Sequence, residues 1–289
     1  MANLKEIRRR ISSVKGTQKI TRAMKMVAAA KLRKAQEAAE KFRAYADLTT
    51  SVLAEVAQGA SEDDHPLLAR RENIDSSVIL VVSADRGLCG GFNSNLNRLV
   101  FEETKKQTPA PHLAIMGKKA EQFFDLRPVD IADRFSKVRD DPNYEAVAAV
   151  ARKLAGKYQA GEIDQIDIAF TQMITRAAQE PIIKPLLPVA LPQKNAETEQ
   201  DAGPSDFIFE PERKALLGRL LPNYIEVEIY RAVLESIAAE HAARMGAMEM
   251  ATDNAQEMID RLTLTYNRAR QSAITSELMD IVGGAEALD

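Results

Sequence analysis

The sequence predicts a Rossmann-like α/β domain inserted between two long helices that form an antiparallel coiled coil. Three observations predict it. Apolar heptads run along both ends of the 289-residue chain, β-branched runs alternate with amphipathic stretches in its middle, and the apolar period changes near residue 76.

Alternate steps of three and four from Leu4 give Ile7, Ile11, Val14, Gln18, Thr21, Lys25, Ala28, Leu32, Ala35, Ala39, Phe42, Ala46, Thr49, Leu53 and Val56. Twelve of these 16 positions are apolar, in one heptad register. The polar stretch at Gln18, Thr21 and Lys25, beside an apolar stripe of Ile20, Met24 and Val27, predicts a register change there. From Leu234 the same steps give Ala238, His241, Met245, Met248, Thr252, Ala255, Ile259, Leu262, Tyr266, Ala269 and Ala273. At the α-helical rise the first arm is roughly 80 Å long and the second, from Pro222 to Val282, roughly 90 Å. Both exceed the width of a small domain, so the arms must pack on each other, on a partner, or on both. Ile274, Leu278 and Ile281 lie one residue out of phase, past the reach of the first arm, where a partner has to cover them.

The middle reads as strand and helix in alternation. Strands are expected at Ser77 to Val82, Leu113 to Met116 and Ile166 to Ile174, and helices at Asn93 to Lys106, Lys118 to Asp125 and Asn143 to Tyr158, with a largely parallel sheet. The predicted organisation is an N-terminal coiled-coil helix (1–59), a linker (60–75), the α/β domain (76–190), an acidic loop (191–209) and a C-terminal coiled-coil helix (210–289). Pro222 is expected to interrupt that last helix, and Gly283 with Gly284 to end it.

Composition narrows the function. The single cysteine, Cys89, excludes an intrachain disulfide, and the scattered His65, His112 and His241 make no metal-ligand spacing. No apolar run approaches the length of a bilayer span, so membrane association is expected only through partners. The net charge of −3 conceals an asymmetry: residues 1 to 45 hold thirteen Lys and Arg against three acids, a net of +10, leaving −13 for the remainder. Such an arm attracts an acidic surface, which can be nucleic acid, anionic lipid or an acidic protein collar.

The motif SADRGLCGGFN, Ser83 to Asn93, follows a strand and opens a helix, the place of phosphate loops in α/β folds. It carries Gly87, Gly90 and Gly91 but neither GxGxxG nor the Lys-Ser/Thr of a P-loop, so a structural turn is favoured over a nucleotide site. Cys89 has no adjacent His or Lys to activate it and reads as a small buried side chain. Asp85 and Arg86 form either a local ion pair or a partner contact. From spacing alone, Met24 is a gap-filling core residue.

Three segments, SVKGTQKITRAMKMVAAAKLRKAQ (Ser13 to Gln36), SADRGLCGGFN, and ARMGAMEMATDNAQEMIDRLTLTYNRARQSAITSELMDIVGG (Ala243 to Gly284), closely resemble the gamma subunit of the rotary F-type ATP synthase, of bacterial type. Their order and spacing cover essentially the whole chain; the acidic stretch 192–206 is its least family-like part. The resemblance implies a non-catalytic central-stalk rotor without cofactor. It stands inside a ring of three alpha and three beta subunits and rests with epsilon on the c-subunit ring, coupling hydrogen ion transport to ATP synthesis or hydrolysis. It further implies that Met24, Lys25 and Arg244 face the acidic lever loops of beta, that Gln271, Thr275 and Glu277 make the upper shaft contacts, and that Ile274, Leu278 and Ile281 form the apolar tip in the bearing. Asp85, Arg86, Gly87, Cys89, Gly90 and Gly91 fall in the foot, near epsilon or the c ring. The cysteine-bearing insertion of chloroplast members is missing, and the resemblance starts almost at Met1, which predicts a bacterial protein peripheral to the cytoplasmic side of the plasma membrane. The rival readings are a nucleic-acid-binding coiled coil using the basic arm and a nucleotide-dependent enzyme using Gly87 to Gly91.

Overall fold

The computed structural model describes residues 4–57, 60–135, 138, 142–190 and 212–286. The acidic loop and the end of the first arm at Gln58 and Gly59 lie outside the described residues. Ten α and β elements follow in order: α1 (Leu4–Val56), β1 (Ser77–Val82), α2 (Phe92–Lys106), β2 (His112–Met116), α3 (Lys118–Phe124), β3 (Ile131–Arg134), α4 (Tyr144–Ala160), β4 (Gln165–Met173), β5 (Gln179–Leu187) and α5 (Arg213–Glu286). The chain divides into two compact units. One comprises residues 1–29 with 244–289, and the other residues 30–243.

The larger unit is built on a five-stranded sheet of order β3-β2-β1-β4-β5, parallel except for β5, which runs antiparallel to β4. All six residues of β1 are buried, as expected of a central strand covered on both faces. Its side chains alternate: Val78, Leu80 and Val82 join one core and Ile79 and Val81 the other. Helices α2 and α3 cover the second face through Leu96, Val100, Ala120 and Phe124. The first is covered by α4 and by the parts of α1 and α5 that belong to this unit, through Leu53, Val56, Leu154, Leu217, Ile225 and Val233. The terminal helices therefore supply one layer of the globular unit.

Local signals explain the element ends. Asn143 caps α4 by accepting the Glu145 N–H at 2.8 Å, and Gly161, at φ 82°, closes it in the left-handed conformation. At φ 114° a Cβ on Gly117 would lie 2.2 Å from the Ser83 carbonyl oxygen, so the β2–α3 turn requires glycine.

Two expectations for α5 are corrected. Pro222 lies inside the helix without ending it, because the packing of Leu217, Leu221 and Ile225, all fully buried, outweighs a proline cost of about 3 kcal/mol. The helix also continues through Gly283 and Gly284 to Glu286. Strands β3 and β5, which the apolar pattern does not announce, complete the sheet at its edges. In β5 the prolines 181 and 185 are compatible with an edge position. In β3, which pairs with β2 and packs Ile131 on the core, Asp133 accepts Lys153 at 2.5 Å and Lys157 at 2.7 Å, while Arg134 reaches Glu121 and Asp125 at 3.0 and 2.8 Å, so charged residues take positions that apolar ones would announce.

Candidate functional site

In the smaller unit, α1 and α5 pack as an antiparallel pair. Four contacts set its register: Arg8 donates to the Tyr266 hydroxyl at 2.6 Å, Gln18 to the Gln256 carbonyl at 2.9 Å, the Thr21 and Thr252 hydroxyls lie 2.8 Å apart, and Lys25 meets Glu249 at 2.5 Å. The residue numbers of each pair add to 273 or 274, so Leu4 stands near residue 270 and α5 beyond about Gln271 has no described α1 residue opposite it.

The seam keeps one heptad register, which corrects the expected register change. Ile7, Thr21 and Ala28 are buried and Ile11, Val14, Gln18 and Lys25 half-buried, whereas Ile20 and Val27 of the rotated stripe are 62% and 57% exposed. The polar seam positions persist because α5 presents polar partners at the same height. Here the pattern is inverted, polar at the seam and apolar outside, with Met26, Met250 and Met258 exposed as well. Sequence reasoning missed these methionines and the exposed Leu264. They are apolar residues off an otherwise regular seam, and that was their available signal.

Of the expected lever-loop contacts, Met24, Lys25 and Arg244 are half-buried. Gln271, Thr275 and Glu277 are exposed, and the Thr275 hydroxyl donates to the Gln271 carbonyl at 3.0 Å. Ile274, Leu278 and Ile281 are 48%, 57% and 68% exposed and are joined by Met279. Among the described residues, nothing covers this apolar stripe. On the basic arm Arg9, Lys15, Lys19 and Arg22 face solvent, while Arg10 and Arg33 pair with Glu6 and Glu37 one turn away.

The Ser83–Asn93 loop belongs to the larger unit. Buried Ser83 donates to the Gly117 carbonyl at 3.1 Å and accepts the Ala120 N–H at 3.0 Å, stitching the loop to α3. The Asp85 carboxylate accepts the Lys118 N–H at 2.9 Å and so caps α3; it makes this contact instead of the local ion pair with Arg86. Asn93 accepts the Ala84 N–H at 3.0 Å and donates to the Cys89 sulfur at 3.2 Å. Gly90 and Leu88 both take positive φ, 57° and 61°, and Leu88 projects into solvent. Beneath the loop, buried Ala84, Cys89 and Phe92 pack with Ala239 of α5, and Met173 and Ala243 adjoin them. This small apolar cluster lies at the carboxyl ends of β1 and β4.

Between α1, the β4–β5 hairpin and α5 of the same unit lies a cleft of about 460 Å³ lined by Phe42, Met173, Leu234 and charges of both signs. Two of those cations are paired, Arg43 with Glu40 at 3.1 Å and Arg231 with Glu228 at 3.7 Å. Among the described residues, no group of three or more His, Cys, Asp or Glu is placed to hold a metal ion, and no helix is long and apolar enough to cross a membrane.

The ATP synthase family model matches residues 3–288. The ATP synthase gamma chain of Pelotomaculum thermopropionicum is 46% identical over 289 residues, and that of Moorella thermoacetica 43% over 288, each match covering 100% of both chains. Among solved structures, a chain of the Euglena gracilis mitochondrial ATP synthase (OSCP/F1/c-ring, rotational state 3) superposes with a TM-score of 0.64 at 21% identity. That match covers 99% of this chain and 94% of the other. The long paired helices, the inserted sheet and full-length identity far above chance agree, and the chain belongs to the ATP synthase gamma chain family.

Proposed function

We propose that this chain is the central-stalk rotor of an F-type ATP synthase, with its helix pair inside a ring of three alpha and three beta subunits and its sheet-bearing unit beside epsilon and the c ring. The observation that carries this reading is the inverted smaller unit. Its buried seam is interrupted by polar contacts at Gln18, Thr21 and Lys25; Ile20, Met26, Val27, Met250 and Met258 face outward; and the apolar residues past about Gln271 have no described α1 residue opposite them. A surface of that kind has to be completed by a surrounding partner. The names of the relatives and the titles of the solved structures, which speak of a gamma chain, a central stalk and a rotor, support the same reading.

In this reading the chain performs no bond chemistry. One asymmetric shaft contacts three beta subunits differently at each angle, and that difference in contact energy biases their catalytic sites towards different conformations. Met24, Lys25 and Arg244 meet the acidic lever loops, Gln271, Thr275 and Glu277 report shaft angle higher up, and Ile274, Leu278 and Ile281 run in the bearing. Asp85, Arg86 and the Gly87, Cys89, Gly90, Gly91 turn belong to the foot, and the exposure of Leu88 beside them supports a partner-facing loop. The chain is peripheral to the cytoplasmic side of a bacterial plasma membrane and reaches the membrane through its partners. The relatives and solved structures lend no support to nucleic-acid binding.

Reconstitution of alpha and beta subunits with and without this chain tests the reading. One copy per three alpha and beta pairs, with a strong gain in cooperative ATP hydrolysis, is the expected result. Failure to enter the ring, or entry without a change in rate, overturns it.

A further inference from the structure

The inverted part of the helix pair carries a second irregularity. Gly16 on α1 and Gly246 on α5 lie in helix interiors, and a Cβ added at either would meet nothing within 4 Å. Neither takes a positive φ. The usual reasons for a glycine, close packing or a left-handed backbone, are therefore absent among the described residues. What remains is its effect on the helix: glycine raises the local opening equilibrium of a helix interior about fivefold over alanine.

These glycines bracket the polar stretch. Gly16 precedes Gln18 on α1 and Gly246 precedes Glu249 on α5, so in the antiparallel register they stand at opposite ends of the three polar contacts. Those contacts are weak holders. The Lys25–Glu249 pair is about half exposed on the carboxylate side, and exposed ion pairs contribute little. The Thr21 and Thr252 hydroxyls each also lie within hydrogen-bonding distance of a carbonyl of their own helix, of Gln18 at 3.0 Å and Met248 at 2.7 Å, so the cross-helix bond competes with local ones. Towards the tip the seam returns to Val14, Ile11 and Ile7 on α1 and Ile259 and Leu262 on α5. At the other end the apolar Ala28 and Met248 fall inside the stretch that the glycines bracket, and apolar burial resumes beyond it at Leu32 on α1 and Ala242 on α5.

We propose that residues 16–28 of α1 and 246–256 of α5 form a compliant joint, a length of helix pair that opens and twists more readily than the apolar layers on either side. Two independent features make it, three hydrogen-bonded polar contacts among the small or flexible apolar residues Ala28, Met248 and Ala255, and a helix-weakening glycine on each strand of the pair. Its consequence for the proposed rotor is that twist between tip and base concentrates here.

Amide hydrogen exchange on the full-length chain tests the joint directly. Protection along α5 should dip over residues 246–256 and recover over Ile259–Tyr266. In the G16A/G246A variant, which the open space around both glycines should tolerate, exchange across each stretch should slow about fivefold. A T21V/T252V variant should slow it independently. Uniform protection along α5, or unchanged exchange in both variants, overturns the proposal. In the complex with alpha and beta subunits, the glycine variant should narrow the angular fluctuations of the shaft at a fixed dwell, and unchanged fluctuations would overturn the rotor consequence. A wild-type chain that shows the exchange dip yet does not stimulate ATP hydrolysis would overturn the rotor reading and leave the joint standing.

Discussion

The two units bury different things. The larger one encloses fully buried Leu80, Leu96, Phe124, Leu154 and Tyr158 on both faces of a sheet, as a self-sufficient domain does. The smaller one buries a single stripe, Ile7, Thr21, Ala28, Met248, Ala255 and Ile259, and leaves Ile20, Met26, Val27, Met250 and Leu264 in solvent. One unit carries its own stability, and the other is finished by whatever surrounds it. The contrast predicts where substitutions will be felt as unfolding and where only as lost assembly.

The largest effect should come from the sheet. Leu80 is fully buried at the centre of β1, and Leu80→Ala should cost about 2–5 kcal/mol in urea or thermal unfolding. Val14 is half-buried in the helix seam, and Val14→Ala should cost about 1 kcal/mol or less because the pair can close over the gap. Equal losses at the two sites would erase the distinction.

Two aspartates sharpen it within the larger unit. Burial by itself would raise the Asp164 carboxyl, yet the N–H groups of Ser76 and Asp75, each at 2.9 Å, and the Arg71 guanidinium at 2.6 Å hold it below the ordinary carboxylate value. A carboxyl depressed in the folded state stabilises above its unfolded pKa, and that contribution disappears as pH falls through the folded value. Asp164→Asn should therefore lose about 1.5–3 kcal/mol at pH 7, the worth of hydrogen bonds to a charge, and the deficit should vanish in strong acid. Asp167 has the opposite sign. Burial raises its carboxyl, and only Gln165, at 2.9 and 3.1 Å, offsets this. Its charged form costs stability above the raised folded pKa, and the cost is relieved as pH falls from there to the ordinary value. Asp167→Asn should raise the Tm at pH 7 by a smaller amount, with the gain fading over that window. A gain that persists at low pH would point away from titration.

How much of this was legible depended on which force set each element. The heptads of α1 and α5, the buried run of β1 and the amphipathic α2 and α4 follow from apolar spacing, and the sequence displays that spacing. Strand β3 escaped because charged Asp133 and Arg134, paired with Lys153, Lys157, Glu121 and Asp125, take positions that apolar residues would announce, and β5 because Pro181 and Pro185 resemble loop punctuation until an edge position is known. The polar seam was misread as a register shift because Gln18, Thr21 and Lys25 make sense only beside Gln256, Thr252 and Glu249, more than 220 residues away along the chain. The Asp85 cap on α3 was hidden in the same way: its partner is 33 residues distant.

The smallest effect on the chain itself should come from its far end. Ile274, Leu278 and Ile281 are largely exposed and have no described α1 residue opposite them, so replacing all three by Ser removes little buried area and should change the Tm of the free chain by less than about 1 kcal/mol in equivalent stability. The same triple variant removes the apolar face offered to a bearing, where burial is worth about 25 cal/mol per Å² once a partner closes over it. Assembly with alpha and beta subunits should weaken while unfolding of the free chain does not. A variant that unfolded early would mean that the tip is packed by its own chain after all. One that assembled with undiminished affinity would leave this stripe without the partner its exposure implies.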